Sequence, residues 1–262
     1  MRRSRFPYVV AAAVLVFFYL PILILVVNSF NASRFGGAWQ GFSLRWYVRL
    51  FQEAEIWQAA RNTLVIALTV TVASLVLGTT SALALHRFAR TRLQRFHYTL
   101  IYTPLIVPEI LMGISLLMSF VAAGVRLGLT TIFLAHVTFC VSYVALVVLG
   151  RLQDFDDSVL EAAQDLGAGW WTTTRRVLLP MLAPGLLAGG LLAFTLSVDD
   201  FVITFFVAGP GATTLPIRVY SMIKHGATPL INALSTLLLA LTFLTVGASQ
   251  RLSKNKLLQG GS

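Results

Sequence analysis

Long apolar runs alternate with short polar gaps from one end of this chain to the other. The runs 7–28, 62–85, 98–122, 130–150, 181–208 and 229–249 approach or exceed the roughly 20 residues that a helix needs to cross about 30 Å of hydrocarbon. None shows the strict alternation of a barrel strand. Lipid offers no hydrogen bonds to an exposed backbone, so helix is the expected state of each. The pattern predicts an all-α membrane protein with six transmembrane helices in a single domain, 1–262, with no internal repeat or linker to a soluble domain. Because the runs recur along the whole length, the first is not read as a cleaved leader.

Composition agrees: 57% of residues are hydrophobic, 11% are charged and the mean hydropathy is +0.79, too little polar surface for an ordinary soluble fold. The formal charge of +10 does not point to nucleic acid, whose partners gather Lys and Arg on one soluble face. Here the basic residues sit between the runs and report topology. With the N-terminus inside, the inner segments hold Arg2, Arg3, Arg5, Arg87, Arg90, Arg92, Arg95, Arg151, Arg175, Arg176, Arg251, Lys254 and Lys256. The outer ones hold Arg34, Arg45, Arg49, Arg61, Arg126, Arg218 and Lys224. The larger share of the 20 basic residues thus lies inside, and the positive-inside rule places both termini in the cytoplasm of a bacterial-type inner membrane. The outer segment 38–60 mixes Trp39, Trp46, Tyr47 and Trp57 with charges, as at a headgroup interface. Cys140 is alone and reads as packing.

Residues 151–180 form the longest inner polar stretch. Asp156, Asp157 or Ser158 can cap a helix whose first turns carry Glu161 and Asp165, as the helix dipole favours. Ala162 and Ala163 give it a small-residue face for close packing. Gly167 can end it in a left-handed turn, residues 168–177 can form a second short helix, and Pro180 marks the return to the membrane. An elbow of this kind is a mechanical handle rather than a catalytic site.

Glu161-Ala162-Ala163, three residues, Gly167, nine residues, then Val177-Leu178-Leu179-Pro180 resembles the EAA loop of binding-protein-dependent ABC importer permeases. The one departure is Val177, where the family usually has Ile. The resemblance implies the type I importer (MetI-like) permease fold, with a core over 62–250 and 151–180 as the coupling loop. It implies that Glu161, Ala162, Ala163, Gly167 and Pro180 engage a separate ATPase. It also implies a second permease chain, two ATPase subunits and a periplasmic or lipid-anchored substrate-binding protein. The residues agree on one point independently: no Gly-x-x-x-x-Gly-Lys-Ser/Thr loop occurs. No cofactor is expected in this chain, and ATP would be bound by partner subunits.

Glu109, Asp199 and Asp200 fall inside the apolar runs. Counted along straight helices at about 1.5 Å per residue, Glu109 lies roughly 16 Å and Asp199 roughly 24 Å from the inner ends. Acids at such depth are functional candidates by default, and no Lys or Arg shares their runs, so a cation pathway is the simplest account. Adjacent helical residues point about 100° apart. One Asp is therefore expected to line the path and the other to be held by a hydrogen bond, unless the helix unwinds. Pro104 and Pro108 predict a bend before Glu109. The stretches 28–31, 160–168, 194–200 and 220–224 resemble the spermidine/putrescine permeases, implying a polyamine cargo. Other cargoes (another organic cation, thiamine, ferric ion) and a stand-alone ion-coupled carrier remain open alternatives. An enzyme is not expected: His86, His97, His136 and His225 lack metal-ligand spacing and no nucleophile motif occurs, so no catalytic or metal residue is assigned.

Overall fold

The apolar runs fold as helices in the computed structural model of the chain, which describes residues 6–34, 38–88, 91–153, 155–156, 158–226 and 229–259, with side chains as far as 244. Arg2, Arg3, Arg5, Arg90 and Asp157 lie outside these residues, as do the side chains of Arg251, Lys254 and Lys256. In chain order the helices are α1 (Phe6–Ser29), α2 (Arg45–Gln52), α3 (Ala54–Arg87), α4 (Arg92–Ile106), α5 (Glu109–Ala122), α6 (Leu129–Gln153), α7 (Ser158–Asp165), α8 (Trp170–Thr173), a π turn (Thr174–Leu178), α9 (Leu179–Asp199), α10 (Val202–Val207), α11 (Leu215–Lys224) and α12 (Pro229–Gln259). Two compact units emerge, Met1–Trp57 with Val219–Ser262, and Gln58–Arg218.

Helices α1, α3, α6 and the continuous helix Trp170–Asp199 are each long and apolar enough to span a membrane. α4 and α5 supply a fifth crossing only as a bent pair, and α12 carries a shorter apolar stretch, Pro229–Leu244. Two of the expected straight spans are therefore corrected. Residues 98–122 are not one helix, because α4 and α5 meet at 112°. Val107 and Pro108 are extended (ψ 128° and 135°), since a proline ring disfavours helical geometry in the residue before it. Pro104 stays inside α4, so the break belongs to Pro108. The depth counted for Glu109 along a straight helix does not apply.

The second correction lies at 168–208. The short helix expected before Pro180 is continuous with the span behind it, so the helix begins at Trp170. Pro180 cannot donate to the carbonyl four residues back and its ring crowds that carbonyl. The wide π turn over Thr174–Leu178 makes room for it, as such single-turn bulges do. At the other end the helix stops at Asp199, and α10 starts separately at Val202.

Within Gln58–Arg218, α6 packs antiparallel to α9 in four-residue steps. His136 meets Ser197 at 2.8 Å, the Cys140 thiol donates to the Ala193 carbonyl at 3.6 Å, and Val144 lies against Gly189. Ile132, Val144, Val148, Leu152, Leu182 and Ile203 are buried in the same core. Helix α3 joins it by close approach: a Cβ on Gly78 would stand 2.7 Å from the Val144 side chain. Overpacking such a contact costs about 1–3 kcal/mol. Gly78→Val is accordingly expected to lower the melting temperature in detergent by several degrees, and an unchanged melting curve would contradict this packing.

In the other unit α1 packs on α12 and α12 on α2. The interfacial reading of 38–60 needs one revision, because Trp46 is buried and its indole N–H donates to the Asn31 carbonyl at 2.9 Å. Trp39 and Trp57 remain exposed.

Candidate functional site

The polar loop folds as an elbow. The Asp156 carboxylate accepts the Ser158 N–H at 3.0 Å and starts α7; hydrogen bonds from the Ser158 side chain and backbone hold this carboxyl below its usual range. At the far end Gly167 takes φ +84°. The Ala168 N–H then reaches the Ala163 carbonyl at 3.0 Å and the Gly167 N–H the Gln164 carbonyl at 2.8 Å, the paired bonds of a left-handed helix stop. Glu161, Ala162, Gly167 and Pro180 are exposed and Ala163 is half-buried. Glu161 and Gln164 line a cavity of about 620 Å³, together with Trp170 and the end of α3 at His86 and Arg87.

Sequence reading did not single out the apolar surface of this elbow. Leu166 is 89% exposed, Trp170 70% and Trp171 64%. A Trp pair beside a predicted glycine stop was the available signal.

The acidic pair sits at the opposite end of the same 30-residue helix. Asp199, the last residue of α9, is exposed and has no hydrogen-bond or ion-pair partner among the described residues. Asp200 lies in extended backbone (φ −63°, ψ 122°), and its side chain is only 6% exposed. Its carboxylate accepts the Thr204 N–H at 2.8 Å, the Thr204 hydroxyl at 2.6 Å and the Ile203 N–H at 3.4 Å. It therefore caps the first turn of α10, satisfying N–H groups that a helix start leaves open. His136 Nε2 lies 3.2 Å from Asp200 Oδ2 and 2.9 Å from Thr204 Oγ1.

Of the pair, Asp200 is held by hydrogen bonds and Asp199 is open, and the helix ends between them. Glu109 begins α5 directly after Pro108 and is exposed. No hydrogen bond or ion pair joins it to either Asp among the described residues. Its helix nonetheless packs on α10: a Cβ on Gly113, one turn further on, would stand 2.7 Å from the Phe206 ring. The residue that sequence reading missed is His136. A lone histidine in an apolar run carries no signal, because its partners come from α9 and α10. Among the described residues no cluster of three or more His, Cys, Asp and Glu could hold a metal ion.

Apolar helices long enough to cross a membrane, joined to a capped polar elbow, mark an integral membrane protein. Residues 74–257 match the binding-protein-dependent transport system inner membrane component family, and the chain belongs to it. It is 42% identical over 244 residues to the spermidine/putrescine transport system permease protein PotC of Escherichia coli K12, covering 93% of this chain and 92% of that one. It is 44% identical over 243 residues to the putrescine transport system permease protein PotI of the same organism, covering 90% and 86%. Among solved structures it is similar to a chain of a bacterial ABC transporter involved in the import of the acidic polysaccharide alginate. That match has a TM-score of 0.74 and 16% identity and covers 96% of this chain and 98% of that one, a likeness of fold alone.

Proposed function

We propose that the chain is the permease subunit of an ATP-driven polyamine importer and forms half of its translocation pathway. The observation that carries this reading is the continuity of the helix Trp170–Asp199, which begins at the elbow and ends at the acidic pair. At about 1.5 Å per residue it is some 45 Å long, so a displacement of its Trp170 end is carried to Asp199 within one helix. Glu161, Ala162, Ala163, Gly167 and Pro180 belong to the part of the elbow that seats in an ATPase subunit. Asp199, Asp200 and Glu109 belong to the cargo pathway: Asp199 and Glu109 are exposed acids with no ion-pair partner among the described residues, and Asp200 shapes the break. Positively charged cargo is the chemistry that such carboxylates accept, and the names of the PotC and PotI relatives support spermidine or putrescine.

The working assembly contains a second permease chain, two ATPase subunits that bind the ATP and a periplasmic or lipid-anchored binding protein. Both termini lie in the cytoplasm, which puts the elbow over 151–180 on the side of the ATPases; the permease core extends over 62–250. Proteoliposomes holding the complete complex are expected to accumulate labelled spermidine or putrescine only with ATP and the binding protein. Uptake by the purified chain alone on an ion gradient would overturn this reading in favour of a carrier.

A further inference from the structure

Asp199 and Asp200 are chemically identical neighbours, yet the structure treats them differently: Asp200 is bonded by the first turn of α10 and, in addition, by a residue of another helix. We propose that His136 is a positioning residue of the transport pathway: it clamps Asp200 between α9 and α10 and leaves Asp199 as the one carboxylate of the pair offered to a cationic cargo. The division of labour rests on the proposed function, whereas the clamp itself does not.

Hydrogen counting fixes how the clamp works. Thr204 owns one hydroxyl hydrogen, and its Oγ1 lies 2.6 Å from Asp200 Oδ2 and 2.9 Å from His136 Nε2. The carboxylate has no hydrogen to give, so the Thr204 hydroxyl donates to it. The contact with His136 then requires a hydrogen on Nε2, shared between Thr204 Oγ1 and Asp200 Oδ2. On the other side of the ring Nδ1 lies 2.8 Å from the Ser197 hydroxyl, which can donate to a bare ring nitrogen or accept from a protonated one. One imidazole therefore ties the last turn of α9, the extended residue Asp200 and the first turn of α10 together. His136 is 1% exposed, so water does not compete for these bonds.

The consequence for cargo is geometric. An ammonium group approaching Asp200 has to displace hydrogen bonds that also cap α10. Asp199 needs no such displacement. Without His136, Asp200 loses its tether to α6, the break is no longer held in one place, and two carboxylates compete where one was presented.

Two readouts on the complete complex in lipid nanodiscs test this. The first is modification of carboxyls by a water-soluble carbodiimide with glycine methyl ester, read residue by residue by tandem mass spectrometry. Asp199 is expected to be modified at least tenfold faster than Asp200 in the native chain. In His136→Ala the two rates should come within about threefold, and His136→Gln, which keeps a donor and an acceptor, should restore most of the protection. Thr204→Val, which preserves shape and removes the hydroxyl, should expose Asp200 in the same direction should His136→Ala not assemble. Equal modification of both Asp residues in the native chain, or undiminished protection of Asp200 in either His136→Ala or Thr204→Val, overturns the clamp.

The second readout is transport, where His136→Ala is expected to raise KM for the polyamine at least fivefold with less than twofold change in maximal rate. A fall in maximal rate at constant KM would make His136 merely structural and overturn the positioning role. The modification pattern needs no cargo. If it holds while Asp199→Asn leaves polyamine uptake unchanged, the cargo reading fails and the clamp stands.

Discussion

Asp199→Asn is expected to raise KM for spermidine or putrescine by roughly tenfold to a hundredfold in proteoliposomes with the complete complex, while the complex still assembles. The substitution keeps size and shape and removes the charge. A hydrogen bond to a charged group contributes about 1.5–3 kcal/mol, and each 1.4 kcal/mol is tenfold in affinity. The residue is exposed and unpartnered among the described residues, so nothing in the fold depends on its charge. Asp200→Asn should behave differently. An amide still accepts one N–H at the start of α10 but presents an N–H₂ where the carboxylate met several donors, so both assembly and maximal rate are expected to fall. Equal effects on KM at both positions, or none at Asp199, would show that the acidic pair is not divided as the bonding around Asp200 requires.

What could be read from the sequence follows from how local each cause is. The spans were legible because solvation by lipid acts on every residue of a run. The elbow was legible because its stops are local: Asp156 bonds two residues ahead, and only glycine adopts φ +84° readily at position 167. The bend before Glu109 was half legible, since Pro104 and Pro108 both announced it and only Pro108 extends the residue before it. The break after Asp199 was not legible, because the stretch from Val198 to Val207 is mostly apolar and reads as uninterrupted helix. Its cause is a side-chain cap supported by His136, which is 64 residues away in the chain. The same distance hid His136, whose polar atoms find partners only once α6 and α9 align antiparallel. The run through Pro180 was misread for a different reason. A proline normally marks a boundary, and nothing in Thr174–Leu178 announced the π turn that absorbs it.

The elbow carries the other large expected effect. Leu166→Asp should abolish co-purification of the ATPase subunits with the permease while leaving the permease's own melting temperature within about a degree. Leu166 is 89% exposed, so a charge there costs the isolated permease almost nothing. It lies between Ala163 and Trp170 in the chain, on the elbow proposed to seat in an ATPase subunit, and burying an unpaired carboxylate in such a contact would cost several kcal/mol, enough to dissociate a detergent-solubilised complex. Gly167→Val reaches the same end by another route. A β-branched residue is a steric outlier at positive φ, so the turn after α7 changes course and the elbow presents the wrong face, although α8 and α9 still fold. The two variants therefore separate surface from shape: Leu166→Asp leaves the elbow's geometry intact and Gly167→Val leaves its chemistry intact. Loss of the ATPases in both, with retained pairing to the second permease chain, is the outcome required of a handle at the end of this helix. ATPase retention in both variants would mean that the motor grips the permease elsewhere, and the helix Trp170–Asp199 would no longer connect force to cargo.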